Sequence, residues 1–370
     1  MPIIIFILVL IFLILAHEFG HFIAAKTTGM RVDEFGIGLP PKIVGWKPKK
    51  SETEYTLNWL PFGGFVRIWG EDAEEGVITP NTKDAGRFFS ARPKWAQVVT
   101  LFAGVGMNIV VAWALLSVGF MTGLPMSVSE APANASVTIH GMTIVSVLPD
   151  SPAEKAGLLA GDVILALTDN TEALQEPQQA EQVSNFIATK TGERIDVLLK
   201  REGETRALSV IPEAGIIPDR GAIGISMDMV GTVQLGFFSA LWYGVLATGN
   251  MIAVIAVGFW TLLFQMVQGT ANLSAVSGPV GIAGMFSSAA SSGIGFVLSF
   301  VAFISVNLAV LNLLPFPALD GGRILFVIIE AIKRSPIKPV VANTVNTIGF
   351  LLLIALMIAV TWQDVARLLG

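Results

Sequence analysis

The sequence predicts a polytopic α-helical membrane protein of about four transmembrane helices, with one inserted soluble α+β domain and one long polar loop. Three observations predict it. Hydrophobic residues make up 53% of the 370, and charged residues only 14%, where a soluble chain carries roughly 25% charged residues. Mean hydropathy is +0.69. The apolar residues gather into runs of the ~20 residues that a bilayer requires.

Composition also excludes. With no cysteine the chain forms neither disulfides nor thiolate metal sites, so any metal rests on histidine and carboxylate. A net charge of -5, with no lysine-arginine stripe long enough to track a phosphate backbone, argues against a nucleic-acid partner.

The elements follow in order. Residues 1–25 form the first span; no basic segment precedes Ile3 and no small-residue cleavage site follows a short apolar core, so it reads as a retained helix rather than a signal peptide. Residues 26–94 form a polar loop with eleven of the 23 basic residues: Lys26, Arg31, Lys42, Lys47, Lys49, Lys50, Arg67, Lys83, Arg87, Arg92 and Lys94. That excess places it in the cytoplasm and the N-terminus outside. Residues 95–122 form the second span. Residues 127–229 have the composition of a soluble domain outside the membrane, with β-branched runs at 142–148, 162–168, 194–199 and 205–211 and helices near 153–157 and 176–189. Residues 233–294 form a membrane-associated segment, 295–322 the third span, 323–343 a cytoplasmic loop with Arg323, Lys333, Arg334 and Lys338, and 344–366 the fourth span.

The chemistry concentrates at His17-Glu18-Phe19-Gly20-His21, at the inner end of the first span. On a helix, imidazoles at i and i+4 share a face and can reach one zinc ion, while the glutamate beside them accepts a proton from zinc-bound water. Three ionisable groups in an apolar helix cost several kcal/mol unless paired or ligated, which makes them functional by default. A catalytic zinc commonly takes a third protein ligand. His140 falls in the outer domain. Asp320 is the candidate, because Pro315 and Pro317 break the helix before it and Gly321-Gly322 after it let backbone pass close to another element; a helix cap is its ordinary role. Glu330 is the alternative ligand, over two helical turns further on.

The His-Glu-x-x-His pattern, with Asn312-Leu-Leu-Pro-Phe-Pro-Ala-Leu-Asp320-Gly-Gly on a later span, resembles the site-2 protease family of intramembrane zinc metalloproteases, and within it the bacterial regulator-of-sigma-E protease type with a single PDZ domain. Glu34-Phe-Gly-Ile-Gly38 and Tyr55 through Val66 resemble that family's membrane-dipping β-hairpin loop, Phe88 through Trp95 its approach to the second span, Ser151-Pro-Ala153 through Ile164 its PDZ domain, and Ser277-Gly-Pro-Val-Gly281 the segment before its third span. One departure is Gly104-Val105, where the family has Gly-Pro. Asn108 still matches.

The resemblance implies that His17, His21 and Asp320 bind Zn2+, that Glu18 is general base and acid, and that Asn312 and Asn108 support substrate or transition state. A buried asparagine in a membrane helix also serves simply to bond a neighbouring helix. It implies single-span membrane substrates, anti-sigma-factor-like proteins or signal-peptide remnants, shortened beforehand by an upstream site-1 protease. The setting it implies is the bacterial cytoplasmic membrane, with the PDZ domain outside. The stretch Glu54-Tyr-Thr-Leu57 and the run Gly63-Gly64-Phe65-Val66-Arg67 are expected to form a hairpin. Its exposed edge would either pair with an extended substrate or lie on the membrane as structure alone.

Parity governs Phe237 to Val267. The His motif and Asp320 each lie at the C-terminal end of a span, so sharing one zinc requires an odd number of crossings between them. The second span supplies one; the expected role of Phe237 to Val267 is then to lie along the outer leaflet, or to cross with Ser277 to Ala290 returning. The turn around Asn272 carries no lysine or arginine, which favours the outer leaflet.

Overall fold

A computed structural model describes residues 2–71, 85–148, 150–169, 171–201, 203–217, 220–270 and 277–369. Asn272 and its neighbours 271–276 lie outside the described residues. The chain divides into two compact units, one of Met1–Leu116, Gly244–Ser288 and Phe300–Gly370, the other of Ser117–Tyr243 and Ala289–Ser299.

The chain begins with α1 (Pro2–Thr27), followed by β1 (Val32–Trp46), β2 (Glu54–Ile68) and α2 (Lys94–Thr122). The β-rich region holds β3 (Leu124–Ser127), β4 (Ser136–Val147), α3 (Pro152–Lys155), β5 (Val163–Thr168), β6 (Ala173–Gln175), α4 (Ala180–Ala188), β7 (Ile195–Arg201), β8 (Glu204–Val210), β9 (Glu213–Ile217), β10 (Arg220–Ala222) and β11 (Ile225–Gln234). Then come α5 (Phe237–Gln268), α6 (Pro279–Ser292), α7 (Ile294–Leu313), α8 (Asp320–Lys333) and α9 (Pro339–Leu369). Among the described residues five helices are long and apolar enough to cross a membrane: α1, α2, α5, α7 and Pro339–Ala366 of α9.

Two expectations about the later spans are corrected. The third span does not run through residue 322. It ends at Leu313, and Asp320 opens a separate helix, because Pro315 and Pro317 each lack the donor that would continue α7. The expected cytoplasmic loop 323–343 is largely helical. Ile324, Val327, Ile328 and Ile332 recur at helical spacing, opposed by Arg323, Glu330 and Lys333, and Pro339 starts α9 at the first helical position, where a missing N–H costs nothing.

The hairpin also differs from its expected pairing. Residues 54–57 and 63–67 do not pair with each other; both lie on β2 and pair with β1. Phe35 faces Val66 on one side and Tyr55 on the other, and Tyr55 also faces Trp46. The Glu34–Ile37 stretch therefore lies between the two halves of β2, which leaves Gly64–Ile68 at one margin of the sheet.

The hairpin is fixed to the helices through a buried cluster of Ala25, Met30, Val32, Ile68, Phe89, Ala96, Leu101 and Val327. A charged clasp adds to it. Lys26 Nζ donates to Glu52 Oε1 at 2.7 Å, and Arg87 donates to both Glu52 oxygens at 2.6 and 2.7 Å. The Arg87 hydrogen bonds are the largest influence lowering the Glu52 carboxyl from its ordinary 4.5 to about 2. A depressed carboxylate contributes its full stability above the unfolded value and loses it as pH falls through the folded one. Hydrogen exchange at Thr53 and Glu54 is thus expected to stay protected down to pH 4.5 and to rise between there and pH 2. Glu52→Gln brings that rise to neutral pH, and unchanged exchange in the variant would dismiss the clasp.

In the second unit a seven-stranded sheet runs β3-β11-β4-β5-β7-β8, with β6 paired to β5. Alternation puts Ile195, Val197 and Leu199 into a core with Ile144, Leu158, Leu167 and Val183. Asp162, 1% exposed in its side chain, receives two 2.6 Å hydrogen bonds from Arg201 and one from the Leu159 N–H. Burying that carboxylate is tolerable because its oxygens are all engaged. His140 lies exposed on β4 against Thr232 and belongs to no metal-capable group among the described residues.

Candidate active site

Three acceptor atoms converge where α1 meets the start of α8. His17 and His21, each 8% exposed, sit one helical turn apart. Asp320 reaches them because the chain doubles back through residues 314–319, with Ala318 at φ 73°. A Cβ on Gly321 would stand 2.2 Å from the Leu314 carbonyl oxygen and one on Gly322 2.2 Å from that of Phe316, so no larger residue permits this turn. Asp320 Oδ2 then lies 3.0 Å from His17 Nε2 and 3.4 Å from His21 Nε2, and the two Nε2 atoms are 3.1 Å apart.

The protonation pattern follows from one hydrogen bond. His21 Nδ1 lies 2.8 Å from the Thr100 carbonyl oxygen, which only accepts, so Nδ1 carries the proton and Nε2 presents its lone pair. Lone pairs from an imidazole and a carboxylate facing each other in a buried site are repulsive unless a cation lies between them. Ligand atoms held tetrahedrally at about 2.0–2.1 Å from zinc stand roughly 3.3 Å apart, close to the separations found. His17, His21 and Asp320 form a metal-capable group among the described residues, and they fit zinc. Glu330, the alternative ligand, is engaged elsewhere: its carboxylate binds Lys94 Nζ at 2.5 Å and the Ile337 N–H at 2.8 Å.

Helix α2 makes room for the imidazoles by having no side chain at Gly104. A Cβ there would lie 2.4 Å from His21 Nε2 and 2.8 Å from His17 Cε1. Gly20 does the same in reverse, its Cβ position falling 2.2 Å from the Ala103 carbonyl oxygen. In the sequence Gly104 stands out only as part of a departure from a motif. The available signal was the rule that small residues in apolar helices mark close approach.

Glu18 opens onto a cavity of about 340 Å³ lined by His21, the β2 segment Phe65–Ile68, Glu71, Asp320 and Arg323. Gly64 brings the strand against α1: its Cβ position is 3.0 Å from Leu15 Cδ2 and 3.5 Å from Glu18 Cγ. Arg67 pairs with Glu34 at 3.2 Å. Thus Gly64, Phe65, Val66 and Arg67 are brought to the metal group. Asn108 is fully buried on α2, one turn beyond Gly104, with both side-chain polar atoms lacking a hydrogen-bond partner. Asn312, half-buried near the end of α7, is not among the residues lining the cavity.

Comparison with known proteins decides the class. Peptidase family M50 matches residues 5–356. The chain belongs to peptidase family M50. A Clostridium perfringens protein named as a zinc metalloprotease is 36% identical over 355 residues, covering 95% of each chain. The Bacillus subtilis regulator of sigma-W protease RasP is 30% identical over 437 residues, covering 98% of each. A solved PDZ domain of a Listeria monocytogenes SdrC-like protein is 24% identical over 25% of this chain and 92% of that one. Its TM-score of 0.21 carries no argument. As a family M50 peptidase the protein is a membrane enzyme, and its His-Glu-x-x-His helix is one of those long and apolar enough to cross the bilayer.

Proposed function

We propose that the protein is an intramembrane zinc metalloprotease that makes the site-2 cut within or near the transmembrane segment of single-span membrane proteins. The observation that carries this is the meeting of His17 Nε2, His21 Nε2 and Asp320 Oδ2 beside Glu18, on a helix able to span the membrane. Zinc held there by His17, His21 and Asp320 would supply Lewis acidity toward the scissile carbonyl and a more acidic water. Glu18 takes the water proton and returns it to the leaving amine. The Thr100 carbonyl holds the His21 ring in its ligating tautomer. Asn108 and Asn312 are assigned to support of substrate or transition state. Asn108's unpartnered amide supports the first assignment.

A helical substrate hides its peptide bonds in its own hydrogen bonds. The margin of β2 at Gly64–Arg67 offers backbone groups for an unwound strand to pair with, and the closeness of Gly64 to Glu18, whose Cγ lies 3.5 Å from the position a Cβ on Gly64 would take, supports such a strand lying beside the base. One relative is named a regulator of sigma-W protease, which favours sigma-factor regulators as substrates; anti-sigma-factor-like proteins or signal-peptide remnants, shortened by an upstream site-1 protease, are the substrates we assign. Residues 127–229 act as an extracytoplasmic PDZ-like domain in a bacterial cytoplasmic membrane.

Four crossings suit this arrangement. Along α9, Asn346 accepts a hydrogen bond from Ala318 near Asp320, while Asp364, about 27 Å further on, binds the N–H groups of Gly278 and Gly281. The start of α6 therefore belongs to the leaflet opposite Asp320. If α5 crossed fully, residues 269–278 would have to return over about 30 Å, close to the roughly 33–36 Å that ten fully extended residues reach. This supports α5 along the outer leaflet. A cysteine at Thr270 that labels only from the cytoplasmic side would refute it.

Co-expression with tagged single-span proteins tests the function. The wild type is expected to shorten at least one of them within its transmembrane segment and Glu18→Gln none. Equal processing by both would refute the reading.

A further inference from the structure

We propose that the ion pair between Glu71 and Arg323 is a register stop that decides which peptide bond of a bound strand is cut. The inference rests on strand pairing to β2 as proposed above.

The margin Gly63-Gly64-Phe65-Val66-Arg67 is glycine-rich and short, and strands of that kind specify register weakly. A substrate strand lying along it can slip, and slipping by two residues presents the same alternate side chains while moving the chain by about 6.8 Å. Peptide hydrolysis with one metal and one base at fixed positions requires something to arrest that slip.

At the far end of the strand the cavity meets a charged pair. Glu71 lies three residues beyond Ile68, Arg323 lies three residues beyond Asp320, and the two side chains form an ion pair. Both line the catalytic cavity. Both also line a second cavity of about 600 Å³ that lies among Gln97, Phe326, Glu330, Lys338 and Asn346. The pair is thus a partition with open space behind it. It is anchored on both sides: α8 carries Asp320 and Arg323 on successive turns, while the strand's exit is held by Trp69, stacked on Phe88 at 3.9 Å and capped by the Arg31 guanidinium at 4.4 Å. The distance from the stop to Glu18 and to the metal group is therefore set by rigid elements.

Glu71 and Arg323 act in this way as positioning residues, through the strand they arrest. Removing the partition lets the strand advance into the second cavity, so the signature is a change in the bond cut rather than a simple loss of rate.

The experiment uses the full-length protein in bacterial membranes and a tagged single-span probe whose leucine-alanine segment is interrupted by Asn-Gly. Product termini are read by mass spectrometry for wild type, Glu18→Gln, Arg323→Ala, Glu71→Gln and the exchange Glu71→Arg/Arg323→Glu. The wild type is expected to give one main cut. Arg323→Ala and Glu71→Gln are expected to add a product displaced by two residues and to lower kcat for the original bond by up to about 100-fold, with zinc content unchanged. The charge exchange should restore the single cut. Glu71→Gln, which keeps the side-chain volume, decides the matter should Arg323→Ala fail to accumulate. A single unchanged cut in Glu71→Gln and in every other accumulating partition variant would overturn the register stop and leave the protease reading intact. A probe cut neither by wild type nor by Glu18→Gln would overturn the protease reading, and the stop with it.

Discussion

Glu18→Gln is expected to reduce cleavage by about 10²–10⁴-fold while the protein keeps its zinc. The amide is the same size as the carboxylate and cannot accept a proton, whereas the converging ligand atoms belong to His17, His21 and Asp320. Metal analysis and cleavage measured on the same preparation separate the two effects. Loss of zinc in Glu18→Gln would make the glutamate a ligand, and retained cleavage would remove it from the chemistry.

Gly104→Ala is expected to be as damaging as the loss of a ligand, although it adds one methyl group to a helix. In an unremarkable helical position that change gains up to about 1 kcal/mol of helix propensity. Here the new Cβ would fall 2.4 Å from His21 Nε2, 2.6 Å from its Cε1 and 2.8 Å from His17 Cε1. Both rings must move, or α2 must withdraw from α1, where Gly20 already packs on Ala103. Either movement opens the ligand triangle. Zinc content and activity should therefore fall together. Gly106→Ala, two residues away with its nearest neighbour at 4.0 Å, should keep both. Full zinc occupancy in Gly104→Ala would show that the helices separate without disturbing the metal group.

What the sequence made legible follows from how local each signal is. The spacing of His17 and His21 and the apolar run around them are contained within one helix, and both are present as expected. The strands near 142–148, 162–168, 194–199 and 205–211 come from alternation and turn residues, and β4, β5, β7 and β8 fall there. Asp320 was reached through the proline and glycine pattern around it, which is again local. What was missed depends on contacts distant in sequence. Nothing near residue 54 states that Glu34–Ile37 will insert between two halves of one strand. Nothing near Thr100 states that its carbonyl will orient His21 across 79 residues. Helix α8 is hidden for a different reason: its charges resemble a positive-inside loop and mask the amphipathic period beneath them.

The metal site turns on the identity of its third ligand, and zinc content of purified Asp320→Ala beside Glu330→Ala measures it. Asp320→Ala should lose zinc, since its Oδ2 is the atom that faces both imidazoles. Glu330→Ala should keep it, since that carboxylate serves Lys94 and the Ile337 N–H. Full occupancy in Asp320→Ala together with depletion in Glu330→Ala would contradict the assignment.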